Sequence, residues 1–159
     1  MKIRTGFGFD VHQLTEGRDL ILGGIKIPHS KGALGHSDAD VLIHAICDAL
    51  LGAAGLKDIG FYFPDTSAEF KNIDSKILLE RVMSLLKEKE YSVGNVDASL
   101  VLEQPKIKPY TDAMRETLAG ILQVTTDDIS IKATTNEKMG FIGREEGVAA
   151  YAVVLITKP

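Results

Sequence analysis

Residues 41–54, VLIHAICDALLGAA, constrain this chain more than any other stretch. Drawn as a helix, Val41, Ile43, Ala45, Ile46, Ala49, Leu50 and Ala53 leave almost no azimuth polar, so the helix must be buried nearly all round. It is too short for a membrane span, which takes about 18 or more apolar residues. The helix is expected to begin near Ser37, with Ser37 as N-cap and Asp40 three residues later as an approximate capping box, and to stop near Gly52–Gly55. Asp40, His44 and Asp48 fall four apart on one face. Polar groups on so buried a helix need partners. A metal ion with its surroundings would supply them, with Asp48 either supporting His44 or simply solvating the helix or capping a nearby loop. A satisfied core histidine is the plainer alternative.

The rest of the chain must surround that helix. Ile3–Phe9 reads as a strand, and Leu20–Ile27 as another, bent at Gly23-Gly24 and stopped by Pro28. Lys31–Gly35 reads as a loop, and Asp58–Thr66 as a turn-rich loop with three aromatics. A helix over Asp74–Lys89 carries a stripe of Ile77, Leu78, Val82, Leu85 and Leu86. Val96, Ala98, Leu100 and Leu102 alternate as a strand, and Pro109 opens a third helix to about Leu122. Strands follow at Ile129–Thr135 and Val148–Thr157, with a loop between them. The order predicts one α+β domain over residues 1–159: a single mixed β-sheet with helices packed on one face. The other face needs a cover, and in so small a chain self-association would provide it.

Composition narrows the class. With 25% charged and 45% hydrophobic residues the chain can build a real core, and a net charge of -4 argues against nucleic-acid binding. No basic run suggests a membrane tether. The N-terminus lacks a signal peptide's long apolar segment. The single Cys47 cannot form an internal disulfide and reads as an inert core thiol. A bacterial cytoplasm fits, as does a plastid after removal of a leader.

Asp10 and His12 are two apart, and if that stretch is a strand both side chains leave the same face. With His44 they form a two-imidazole, one-carboxylate set with an open fourth position, which suits a catalytic zinc. His36 and Ser37 at a helix start could both donate to a phosphate, although Ser37 also reads as a plain cap. Thr134, Thr135 and Glu137 sit where a strand gives way to a loop. Glu137 offers a hard oxygen for magnesium or manganese bridging phosphates; a solvated turn is the alternative. Arg144 could clamp a phosphate or pair with Glu145 or Glu146. P-loop, dinucleotide and nucleophilic-serine motifs are missing from the sequence.

Several segments together resemble the 2-C-methyl-D-erythritol 2,4-cyclodiphosphate synthases of the non-mevalonate isoprenoid pathway. They are Gly8-Phe9-Asp10-Val11-His12, Gly35-His36-Ser37-Asp38-Ala39-Asp40-Val41, Asp58-Ile59-Gly60, Phe63-Pro64-Asp65-Thr66, Gly94-Asn95-Val96-Asp97, Pro105-Lys106, Lys132-Ala133-Thr134-Thr135 and Gly140-Phe141-Ile142-Gly143-Arg144. The resemblance implies a homotrimer with active sites in clefts between subunits. It implies zinc on Asp10, His12 and His44, and a second divalent ion on Glu137. His36 and Thr135 match transition-state-stabilising positions, and Ser37 a phosphate contact. Asp58, Ile59, Gly60, Phe63, Pro64 and Asp65 match positions that hold the methylerythritol. Lys106, Thr134 and Thr135 match the cytidine pocket, with Phe141 and Arg144 as further substrate contacts. Phe9 and Arg144 match positions facing a central cavity linked to isoprenoid diphosphates. The implied reaction converts 4-diphosphocytidyl-2-C-methyl-D-erythritol 2-phosphate to the cyclic diphosphate and CMP. Asn136, Glu103-Gln104 and Ile142 depart from the commoner pattern. A zinc-dependent phosphohydrolase or a non-catalytic trimeric metal- and nucleotide-binding protein are the rival readings.

Overall fold

The computed structural model describes residues 1–159. In chain order the elements are β1 (Lys2–Glu16), β2 (Leu20–Leu22), β3 (Ile25–Ile27), β4 (Lys31–Leu34), α1 (Val41–Ala53), the single turn α2 (Ile59–Tyr62), α3 (Ser75–Glu88), β5 (Ser92–Val101), α4 (Thr111–Leu122), β6 (Ile129–Thr134), the single turn α5 (Gly140–Gly143) and β7 (Gly147–Lys158). Five strands form one mixed sheet in the order β4-β1-β7-β5-β6, in which only β5 and β6 run parallel. The α+β architecture is the expected one.

Helix α1 lies on the sheet's covered face, and Leu42, Ile43, Ile46, Leu50 and Leu51 have no exposed surface. Burying each such side chain stabilises the fold by about 1.5–3 kcal/mol. The period-two alternation of β1 sends Gly6, Gly8, Asp10, His12 and Leu14 toward the helix side. Gly6 and Gly8 set the depth of that packing. A Cβ on Gly8 would stand 1.9 Å from the Ala45 carbonyl oxygen, and one on Gly6 1.9 Å from that of Ala49. Backbone therefore rests on backbone, and α1 sits closer to β1 than any side chain would allow.

Three local expectations change. Leu20–Ile27 is a separate two-stranded hairpin, because Gly23 and Gly24 both take positive φ (60° and 76°) and close a tight turn. Lys31–Leu34 pairs with β1 as an edge strand. The N-cap of α1 is Asp40, whose side chain accepts from the Ile43 amide, so the helix starts four residues beyond Ser37. Asp40 is fully buried and also accepts from the Gly23 and Gly24 amides at 3.0 and 2.7 Å, tying the hairpin turn to the helix start.

The opposite face carries Ile3, Phe7, Phe9, Val11, Tyr151 and Val153, all exposed. Phe9 pairs with Tyr151 across β1 and β7, with ring centroids 5.0 Å apart. This is the apolar surface that the sequence leaves in need of a cover.

Candidate metal centre and substrate clefts

Because α1 touches the backbone of β1, His44 reaches the two β1 side chains beside it. Asp10 Oδ2 lies 2.9 Å from His12 Nε2 and 3.0 Å from His44 Nδ1, and the two imidazole nitrogens are 3.2 Å apart. The edge of a tetrahedral zinc site with 2.0–2.1 Å bonds is about 3.3 Å. The three donor atoms are thus spaced as one face of such a site. Burial pushes the Asp10 carboxyl up, but the His12 and His44 hydrogen bonds outweigh it and hold it at about 2. Burial pushes the His12 imidazole down, yet the Asp10 carboxylate and the Leu34 carbonyl raise it above its ordinary value.

The other ring nitrogens are both engaged. His12 Nδ1 lies 3.0 Å from the Leu34 carbonyl oxygen, which can only accept, so His12 Nδ1 donates; Nε2 donates to Asp10 when the ring is charged and keeps a lone pair for a metal when the ring is neutral. His44 Nε2 is 2.8 Å from Ser75 Oγ and 3.2 Å from Ser37 Oγ. Ser75 Oγ in turn hydrogen-bonds the Asp38 carboxylate. Asp48 does not support His44: its carboxylate accepts from the Ile59 amide at 2.8 Å and anchors α2. This is the loop-capping alternative for Asp48. Ser75 and Leu34 were invisible in the sequence, because each meets its histidine across 31 and 22 residues of chain.

His36 and Ser37 lie outside the first helical turn, so the anion site expected at the helix N-terminus is filled by Asp40. Ser37 instead accepts from the Ala39 amide and faces His44. Both residues line a cleft of ≈ 550 Å³ with His12, His44, Ile59, Gly60, Phe63, Pro64 and Asp65. His36 Nε2 donates to the Ser67 carbonyl at 2.8 Å, fixing its ring against the cleft loop. Asp58 caps α2 by accepting from the Phe61 amide. Five of the six residues expected on the methylerythritol side thus line the cleft beside the metal ligands, and Asp58 caps the turn that carries two of them.

The residues expected to hold the nucleotide lie elsewhere on the same molecule. Thr135 and Glu137 line a second cleft with Glu103, Gln104, Lys138, Gly143 and Glu145. Asp10, Ala150, Leu100 and Ala133 occupy one rung of the sheet. Three strand spacings of about 4.8 Å therefore put the end of β6 about 14 Å from Asp10. Thr134 follows Ala133 and points to the uncovered face. Lys106 lies in the segment between β5 and α4. Glu103, which sequence reading noted only as a departure, organises the loop: its carboxylate accepts from the Asn136 and Lys138 amides, each at 3.0 Å. That holds Glu137 and Lys138 in the left-handed region, at φ 51° and 61°. Phe141 borders a shallow cleft with Val11 and His12. Arg144 makes a two-pronged pair with Glu146, both contacts at 3.1 Å, as its ion-pair reading expected.

Residues 3–157 match the YgbB family. A Bacteroides thetaiotaomicron protein named 2-C-methyl-D-erythritol 2,4-cyclodiphosphate synthase is 63% identical over 158 residues, covering 99% of both chains. The bifunctional IspDF of Campylobacter jejuni superimposes with a TM-score of 0.95 at 43% identity, over 99% of this chain, which spans 43% of that longer one. IspF of Plasmodium falciparum, solved as a CDP complex, gives a TM-score of 0.86 at 34% identity over 98% of this chain and 96% of its own. A full-length match in sequence, together with the superimposed fold, makes this chain a member of the YgbB family of 2-C-methyl-D-erythritol 2,4-cyclodiphosphate synthases.

Proposed function

We propose that this chain converts 4-diphosphocytidyl-2-C-methyl-D-erythritol 2-phosphate to 2-C-methyl-D-erythritol 2,4-cyclodiphosphate and CMP. An oxygen of the 2-phosphate bonds to the β-phosphorus, the bond from that phosphorus to the α–β bridging oxygen breaks, and CMP leaves with the electron pair. The observation that carries the reading is the convergence of Asp10, His12 and His44 beside the His36–Asp65 cleft.

Zinc held by these three residues would polarise phosphate oxygens and offset their charge. No protein nucleophile is required, since both reacting groups belong to the substrate, and positioning dominates. Asp58, Ile59, Gly60 and the Phe63–Asp65 loop hold the methylerythritol. His36 and Ser37 face its phosphates. Thr134, Thr135 and Lys106 take the cytidine end, and Glu137 would hold a magnesium or manganese ion that offsets the charge of the diphosphate. His36 and Thr135 stabilise charge in the transition state.

The two halves lie on different clefts of one molecule, and the uncovered apolar face supports the answer: a homotrimer in which each site joins the metal half of one subunit to the nucleotide half of its neighbour. Phe9 and Arg144 then face the threefold axis, where an isoprenoid diphosphate would find apolar and cationic partners. No helix is long and apolar enough to cross a membrane, and a cytoplasmic location fits the reading.

Incubation with the cytidyl substrate and magnesium, followed by phosphorus NMR, tests the reaction. Equal amounts of CMP and cyclic diphosphate, abolished by zinc chelation, are expected. Inorganic phosphate in their place would overturn the cyclase reading in favour of a phosphohydrolase, and bound CMP without turnover would reduce the chain to a binding protein.

A further inference from the structure

A histidine that binds a metal through Nδ1 must keep its proton on Nε2, and something must hold it there. For His12 a backbone carbonyl does the corresponding work at its own second nitrogen. For His44 the nearest partner is a hydroxyl, which can donate or accept. The direction of that hydrogen bond is therefore the open question, and the surroundings answer it.

Ser75 is fully buried, and its hydroxyl touches both His44 Nε2 and Asp38 Oδ1. A carboxylate can only accept. Asp38 is already oriented by two amides, from Ser75 at 3.0 Å and Asp40 at 3.1 Å. The Ser75 proton is thus committed to Asp38, and only the Ser75 lone pairs face the imidazole. Ser37 lacks this commitment: its hydroxyl accepts from the Ala39 amide, and its proton is free to turn either way. Capping does not explain Ser75 either, since α3 is capped by Asp74, which accepts from the Lys76 amide.

We infer that Ser75 and Asp38 are a positioning pair for His44, a directed chain His44 Nε2–H to Ser75 Oγ–H to Asp38 that fixes the tautomer presenting Nδ1 to the metal. The inference deepens the metal reading of Asp10, His12 and His44 and rests on it. Asp38 also docks α3 against the start of α1 through the Ser75 amide, so the hydroxyl of Ser75 is the part to remove.

Ser75→Ala deletes only that oxygen. Three measurements on wild type, Ser75→Ala and Ser37→Ala decide the matter: zinc affinity by competition with a chromophoric chelator, nitrogen-15 spectra of the imidazoles in metal-free protein, and thermal melting. Ser75→Ala is expected to lose about 10–100-fold in zinc affinity. In the metal-free protein the Asp10 carboxylate, 3.0 Å from His44 Nδ1, competes for the ring proton, so His44 of Ser75→Ala is expected to lose the Nε2–H signal that wild type shows and keep only Nδ1–H, with melting as cooperative as wild type. Ser37→Ala is expected to keep the wild-type tautomer. Zinc affinity within twofold of wild type together with an unchanged His44 tautomer in Ser75→Ala would overturn the inference. So would a tautomer lost in Ser37→Ala alone. Failure of wild type itself to bind zinc would remove the metal reading, while the ring spectra would still decide whether Ser75 sets the tautomer.

Discussion

Replacing Gly8 by Ala asks whether the metal centre depends on the depth at which α1 sits. The added Cβ would lie 1.9 Å from the Ala45 carbonyl oxygen, 2.7 Å from the Ala49 amide nitrogen and 2.9 Å from the Ala45 carbonyl carbon. All three are backbone atoms, so no side chain can rotate away. Non-bonded heavy atoms settle at about 3.5–4.0 Å, so the helix must rise by more than 1 Å to relieve the closest contact. His44 immediately precedes Ala45 and rises with it. Metal sites tolerate about 0.2 Å in ligand distance, so a shift of this size breaks the convergence of His44 Nδ1 with Asp10 and His12. Overpacking of this kind typically costs about 1–3 kcal/mol. For a chain of this size that is about 2–4 °C per kcal/mol in melting temperature. Gly8→Ala should therefore melt several degrees lower, and its zinc affinity, read by chelator competition, should fall at least tenfold. A variant that melts lower yet binds zinc as wild type would refute the link between glycine packing and ligand geometry.

Other perturbations have equally definite outcomes. Zinc affinity should fall about tenfold per pH unit below the raised value of the His12 imidazole, because a proton on His12 excludes the metal, while Asp10 at about 2 offers no competition there. An affinity flat from pH 8 to 5 would contradict this. Burial holds the Asp40 carboxyl at about 6, partly offset by the Gly24 and Ile43 amides. Between its unfolded value of 3.8 and 6 the native state binds more protons, so this group's contribution makes stability fall as pH rises through that window, by roughly 3 kcal/mol. Asp40→Asn should abolish that slope in denaturant titrations, while losing about 1–3 kcal/mol from the amide left facing the Gly24 N–H. Gly120→Ala, in α4 with no atom within 4 Å of the new Cβ, should gain about 0.5–1 kcal/mol; a loss would mean the helix has less room than the structure gives it.

The legible parts of this fold are those written in local periodicity. The all-round apolar run of α1 was unmistakable, and alternation placed Val96, Ala98 and Leu100 inward on β5. The spacing of Asp10 and His12 carried the metal set as far as a shared face. Beyond Phe9 the strand stayed conditional because Asp10 disfavours strand; twelve-residue pairing with β7 overrides that preference. The edge strand at Lys31–Leu34 was hidden by Gly32 for the same reason. The helix start was misplaced because Ser37 and Asp40 are both good caps, and only burial against the Gly23-Gly24 turn selects Asp40. Ser75, Leu34 and Glu103 act through long-range contacts that leave no periodic trace. Gly6 and Gly8 look like interruptions in a strand and are in fact the reason His44 reaches its partners.

In the proposed homotrimer each active site takes its metal half from one subunit and its nucleotide half from the next. Subunit complementation tests it most directly. His44→Ala lacks the metal half and Thr135→Ala/Glu137→Ala the nucleotide half, so each alone should be nearly inactive. Unfolded, mixed in equal amounts and refolded together, they should assemble at random, and about one site in four would join two intact halves in a closed trimer. Recovery of about a quarter of wild-type CMP release is the predicted result. No recovery, from mixed trimers shown to have formed, would contradict the shared site and place the whole reaction within one chain.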